Sequence, residues 1–291
     1  MDLQERVKEV EEIVYRFLPV EEGFQRTVIS AMNYTMQAGG KRIRPLLMYL
    51  TYQMFGGTEE SVYPFMAAIE MIHTYSLIHD DLPAMDDDDY RRGRLTAHKK
   101  YNEAVAILAG DGLLNYAFEV AAASFIDYPG DERIARALMI LTRKPGIYGM
   151  IGGQTADVEL TGRPVDKDAL LFIYENKTGA LLEASMMIGA VLAGADAAQE
   201  AVVEQAASKI GLAFQIQDDI LDIVGEEDKL GKPVGSDEKN EKTTYVSLYG
   251  MEASKAKVAE LSKEAEELLS GLNYPCEELN ALIQWLIGRE L

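Results

Sequence analysis

Fifteen consecutive residues, Asp80-Asp81-Leu82-Pro83-Ala84-Met85-Asp86-Asp87-Asp88-Asp89-Tyr90-Arg91-Arg92-Gly93-Arg94, hold six carboxylates and three arginines. They follow an apolar stretch from Phe65 that reads as a buried helix, ending near Leu82 because Pro83 disfavours helical geometry in the residue before it. Asp80 and Asp81 then sit among the free carbonyls at the negative pole of that helix, where two carboxylates are unfavourable unless a cation joins them. Oxygen ligands point to Mg2+ or Ca2+ rather than zinc. One acidic run in an acidic chain is ordinarily a solvated loop. A second run changes the balance. In Gln215-Ile216-Gln217-Asp218-Asp219-Ile220-Leu221-Asp222, Asp218 and Asp222 lie one helical turn apart and share a face. Two unit charges about 4 Å apart repel by about 4 kcal/mol at an effective dielectric near 20. Paying that cost twice is expected of helices that face one another across a cavity and share divalent ions bound to a polyanion.

Cations lie close by in sequence. Gly39-Gly40-Lys41-Arg42-Ile43-Arg44-Pro45 places three where one helix ends and the next begins, and Arg91, Arg92 and Arg94 follow the acidic run. Guanidinium forks suit phosphate oxygens. Either cluster alone reads equally well as solvated charge; beside two carboxylate sets, a diphosphate explains them better. The chain has no Gly-x-Ser-x-Gly elbow, Walker loop or thiol pair, and its only histidines are His73, His79 and His98. An EF-hand fails from Asp86, since Arg91 stands where the loop needs glycine. A metal-bound diphosphate beside an apolar helical cavity suggests departure of that diphosphate to leave a carbocation, which needs no protein nucleophile.

The elements that must position these residues are helical. Apolar positions recur every three or four residues over 3–17, 24–36, 44–55, 63–79, 96–126, 132–141, 148–160, 166–193 and 199–224, with no series of alternating strand patterns. The 166–193 helix is expected to break near Lys177-Thr178-Gly179. A charged, glycine-containing stretch over 225–243 reads as a loop or lid, and two amphipathic helices follow it. With 291 residues, 48% hydrophobic, an all-α chain is expected, long for one domain but able to wrap a single core. The net charge of -20 disfavours nucleic acid and anionic membrane as partners. A single cysteine, Cys276, excludes an intrachain disulfide. A charged start unlike a signal peptide, and no uninterrupted apolar run near 18 residues, make a cytoplasmic protein without stable membrane association the expectation.

Five separated motifs in one order resemble those of the trans-prenyl diphosphate synthases, most closely the bacterial farnesyl diphosphate synthases. They are Gly40 to Pro45, His73 to Arg92, Gly152-Gly153-Gln154, Lys177-Thr178 with Gln215 to Asp222, and Lys232-Pro233 with Asn240 to Tyr245. No motif position departs from the family pattern. The resemblance implies that Lys41, Arg44, His73 and Arg92 hold isopentenyl diphosphate. It implies that Asp80, Asp81 and Asp86, with Asp218 and Asp222 opposite, bind three Mg2+ ions on the allylic diphosphate. Arg91, Lys177, Thr178, Gln215, Lys232 and Lys242 would contact that second diphosphate, with Lys177, Thr178, Gln215 and Lys232 as catalytic groups. It further implies an all-α, single-domain helical bundle around a central apolar cavity, and a homodimer acting on small isoprenoid diphosphates.

Product length is expected to depend on what lies beneath the first acidic cluster. Tyr75 stands five residues before Asp80, about one and a half turns down the same helix; a core aromatic is the plainer reading of any helical tyrosine. In the family, an aromatic here accompanies a fifteen-carbon product, so Tyr75 and Ser76 are the expected chain-length residues. The alternatives are a geranylgeranyl diphosphate synthase and, from a different class, a non-catalytic acidic helical subunit that binds cations. A terpene cyclase fits less well, because Asp218 to Asp222 completes a second Asp-Asp-x-x-Asp.

Overall fold

The computed structural model describes residues 2–224 and 243–288. Among these, the helices are α1 (Leu3–Tyr15), α2 (Arg26–Met36), α3 (Ile43–Met54), α4 (Tyr63–Asp80), α5 (Ala97–Lys100), α6 (Glu103–Asp127), α7 (Glu132–Arg143), α8 (Met150–Leu160), α9 (Lys167–Ile173), α10 (Ala180–Leu192) and α11 (Ala197–Val224). Three more follow: α12 (Tyr245–Tyr249), α13 (Met251–Ser270) and α14 (Glu277–Ile287). The chain forms two compact units, one from Asp2–Tyr49 with Glu59–Leu138, the other mainly from Leu50–Thr58 with Met139–Leu291.

In the first unit, α4 packs against α6 and α1, and α2 against α6. Phe65, Met66, Ile69, Met71 and Ile72 are fully buried, so α4 is apolar on nearly every face, the signature of a helix inside a core. Each such side chain contributes roughly 1.5–3 kcal/mol by leaving water. Alanines and glycines on α6 (Ala106, Ala109, Gly110, Ala117, Ala121) form much of its buried face. Gly110 lies under the His79 ring, where a Cβ would collide. α6 is the one described helix long and apolar enough to cross a membrane by length and composition alone.

Three expectations change. The helix expected over 96–126 is two pieces, because Tyr101 leaves helical geometry and Asn102 caps α6, accepting a hydrogen bond from the Val105 amide at 2.9 Å. A small antiparallel hairpin, β1 (Tyr90–Arg91) with β2 (Arg94–Leu95), follows the acidic run. Its turn residues Arg92 (φ 54°) and Gly93 (φ 73°) both have positive φ, the geometry that matches strand twist in two-residue hairpins.

The third change lies in the second unit, where α11 packs against α10 and α13. The stretch expected to break near Lys177 stays helical. Between α9 and α10 it widens into a π-helical turn, Tyr174–Gly179, a local distortion frequent at functional sites. Glycines press on that turn from two sides. A Cβ on Gly153 of α8 would strike the Lys177 backbone, and one on Gly211 of α11 would lie 2.9 Å from the Gly179 Cα.

Candidate active site

Each unit carries its own set of candidate residues. In the first, α4 ends at Asp80 and Asp81 caps it. The loop then doubles back, so that the Asp86 amide donates to the Asp80 carbonyl at 2.9 Å. This bond satisfies one orphan carbonyl of the helix end and sets the backbones of Asp80 and Asp86 side by side. Asp81 is 2% exposed and already engaged, its Oδ1 accepting from Arg91 Nε at 2.7 Å, with Nη2 at 2.6 Å. Burial by itself pulls the Arg91 pKa down, but the Asp81 hydrogen bond and charge outweigh it, so the ion pair is kept. Asp89 pairs with Lys99 at 2.8 Å, and Asp87 lies 3.8 Å from both Lys99 and His98. Those carboxylates answer local cations.

The hairpin carries Arg92 to the Gly39–Gly40 turn, where its guanidinium donates to the Gly39 carbonyl. At Gly40 a Cβ would run into that guanidinium, and the backbone itself (φ 131°) is one that side chains rarely adopt. Arg94 stacks over the Tyr34 ring at 4.2 Å and donates to the Gln37 carbonyl at 3.0 Å.

Arg42 is a residue whose task the sequence left undivided from its neighbours. It has positive φ (47°) and a side chain 0% exposed. It donates to Glu70 at 2.7 Å, Glu11 at 3.0 Å, the Tyr15 hydroxyl at 2.9 Å and the Met36 carbonyl at 2.7 Å. Burial opposes its charge, yet Glu70 prevails and raises its pKa. Arg42 is therefore a fixed post, and Lys41 and Arg44 flank it.

Arg44 is the opposite case. Its Nε is buried and, among the described residues, has no hydrogen-bond partner. Burial brings its pKa down to about 10, with Glu70 opposing and Arg92 adding to the fall. Arg92 is lowered too, by burial first, against Glu70 and with help from Arg42 and Arg91. His73 is held well below its usual pKa by burial and then by Arg44, Arg92, Arg91 and Arg42. Burial and the neighbouring guanidiniums together disfavour a proton on His73.

Tyr75 is 6% exposed, its ring edge-on to His79 at 5.8 Å. Burial and then the Asp80 charge push its hydroxyl up to about 12. It therefore lies within electrostatic reach of the first acidic cluster. Ser76 returns its hydroxyl to the His73 carbonyl at 2.8 Å.

In the second unit, a cavity of about 170 Å³ is lined by Lys177, Thr178, Gln215 and Asp218 together with Asp157, Asp219 and Tyr174. Four of the expected residues meet there. Asp222 is buried on α11 one turn beyond Asp218. Asp219, passed over in the sequence reading, accepts from the Tyr174 hydroxyl at 2.6 Å and the Tyr245 amide at 2.7 Å. It ties the π turn to the start of α12. Lys232 and Lys242 lie outside the described residues, as does nearly all of the expected lid.

Among the described residues no three His, Cys, Asp or Glu side chains form a finished metal cage. Mg2+ takes one or two carboxylates and completes its shell with waters and phosphate oxygens. The oxygen donors Asp80, Asp86, Asp218 and Asp222 fit such an ion.

Residues 25–271 match the family described as Polyprenyl synthetase. The chain belongs to that family. It is 45% identical over 287 residues to a farnesyl diphosphate synthase of Geobacillus stearothermophilus, covering 94% of this chain and 95% of the relative. It is 42% identical to a geranylgeranyl diphosphate synthase of Cyanophora paradoxa, over 99% and 95%. Among solved structures, a geranyltransferase of Legionella pneumophila superposes with a TM-score of 0.87 at 31% identity, over 99% and 96%. This polyprenyl synthetase family member has the all-α isoprenoid synthase fold.

Proposed function

We propose that this prenyltransferase joins isopentenyl diphosphate head to tail to dimethylallyl and then geranyl diphosphate, giving farnesyl diphosphate. The observation that carries the reading is the contrast between the two sets of charge. Arg44 is buried with an Nε that has no hydrogen-bond partner among the described residues, and Arg44 and Arg92 both act on the buried His73, an arrangement suited to the diphosphate that stays on the product. Asp80, Asp86, Asp218 and Asp222 are carboxylates suited to a cation-bound diphosphate that leaves. When bound, Mg2+ supplies neutralisation of the charge that develops on the leaving group.

The chain's own residues do the rest. Lys177 holds the allylic diphosphate, joined by Arg91, Lys232 and Lys242. As the carbon–oxygen bond breaks, the Thr178 hydroxyl and the Gln215 carbonyl turn their dipoles toward the allylic cation. Lys41, Arg44, His73 and Arg92 keep the isopentenyl double bond aimed at that cation. A carbon–carbon bond forms, and the departed diphosphate takes the proton that restores a double bond. Tyr75 closes the floor at fifteen carbons.

The protein acts in the cytoplasm as a homodimer; exposed Ile107, Leu108 and Ile126 on α6 support that assembly. Incubating the pure protein with Mg2+, labelled isopentenyl diphosphate and dimethylallyl diphosphate, and measuring the product's carbon number, tests the whole. Fifteen carbons supports the reading and twenty gives the geranylgeranyl alternative. No product leaves a non-catalytic cation-binding protein.

A further inference from the structure

Lys177 is already paired. Its Nζ lies 2.6 Å from Asp157 Oδ2, and both side chains are only about a quarter exposed, 29% and 23%. The contact follows from local construction. Gly153 lets α8 press on the Lys177 backbone, and Asp157, one turn further along α8, comes round to the same face. Asp157 and Lys177 line one cavity with Gln215 and Asp218. A carboxylate in that position competes with a diphosphate for the ammonium and repels it as well.

We propose that Asp157 is a positioning residue acting as an internal competitor: it holds Lys177 while the cavity lacks a diphosphate and takes the lysine back after turnover, promoting release of inorganic diphosphate. One ion pair is exchanged for another, with no covalent change. The proposal rests on the assignment of Lys177 to the allylic diphosphate.

The test is Asp157→Asn, which keeps the side chain's shape and removes its charge. Calorimetry of the full-length variant with inorganic diphosphate and Mg2+ should show binding about three- to fivefold tighter than in the unsubstituted protein, the scale of a partly exposed ion pair. Product inhibition by inorganic diphosphate should strengthen by the same factor, with KM for isopentenyl diphosphate unchanged. Asp157→Glu should restore the original affinity. Structural damage weakens binding, whereas loss of a competitor strengthens it. Equal or weaker binding in Asp157→Asn overturns the proposal, and weaker binding with a higher Mg2+ requirement would make Asp157 a cation donor instead. Lys177→Gln separates the two layers. If it binds diphosphate more weakly than the unsubstituted protein, and adding Asp157→Asn to it brings a smaller gain than the same change brings beside Lys177, both assignments stand; an equal gain would leave Asp157 a repelling charge and overturn the competitor role. If it binds equally well, the role given to Lys177 fails, and the competitor with it.

Discussion

Replacing Glu70 by Gln removes the carboxylate on which three guanidiniums depend. Glu70 is 2% exposed and lies 2.7 Å from a fully buried Arg42, and its charge also supports Arg44 and Arg92. Breaking a buried pair by removing one partner costs about 3–5 kcal/mol. Gln keeps one hydrogen bond, and Glu11, Tyr15 and Met36 still hold Arg42, so the lower figure of about 3 kcal/mol applies. An unfolding entropy of about 2.1 cal/mol/K per residue gives roughly 0.6 kcal/mol/K for a chain of 291 residues, hence a Tm lower by about 5 °C. Scanning calorimetry should find that drop. Inorganic diphosphate without Mg2+ should then recover more of the Tm in Glu70→Gln than it adds to the unsubstituted protein, because the anion replaces a missing counter-charge. At about 100 Kd the ligand contributes about 2.7 kcal/mol, or roughly 4 °C on the same scale. A Tm change under about 1 °C, or an equal diphosphate shift in both proteins, would show that Glu70 does not anchor this cluster.

Tyr75→Ala should lengthen the product beyond fifteen carbons, read by chromatography of the dephosphorylated alcohols; a mutant that still stops at fifteen places the floor elsewhere. Because His73 has a depressed folded pKa, the unfolded chain binds its proton first, and stability falls as pH drops from about 6.5 toward that lower value, by at most about 1.4 kcal/mol per pH unit. His73→Gln should lessen the loss of Tm between pH 7 and pH 5, and an unchanged slope counts against a neutral buried imidazole. Asp218→Asn should raise the Mg2+ concentration for half-maximal rate at least tenfold while leaving KM for isopentenyl diphosphate near its original value. A parallel rise in that KM would mean that α11 serves both substrates.

The long apolar helices and the acidic termini were legible because their signal is periodic and redundant. α4 and α11 differ from the expected 63–79 and 199–224 by at most two residues at an end. Roles within a cluster were not legible. Asp218 and Asp219 are alike in sequence and line the same cavity, but neighbours on a helix point about 100° apart, and Asp219 is the one buried against Tyr174 and the Tyr245 amide. Arg42 and Arg44 are separated by one residue, yet the backbone at Arg42 turns to positive φ and sends its side chain into the acids of α1 and α4. The hairpin escaped notice because two residues per strand are too few to display a period. Asp157 did carry a signal, standing four residues after Gly153 and so on the same helical face.

In a chain with 28 basic and 48 acidic residues, carboxylates are plentiful, so how each cation is neutralised is a matter of placement. Arg42 is given three oxygen partners on side chains and one on the backbone, and Lys177 is given Asp157. Arg44 donates no hydrogen bond from its buried Nε among the described residues, although Glu70 is near enough to influence its charge. Leaving a buried guanidinium short of partners costs stability unless a ligand completes it. A permanent deficit of that kind suits the diphosphate that stays on the product through successive condensations. An exchangeable pair suits the diphosphate that must depart each time. On this reading the chain separates its two substrates less by shape than by whether the waiting cation has already been answered.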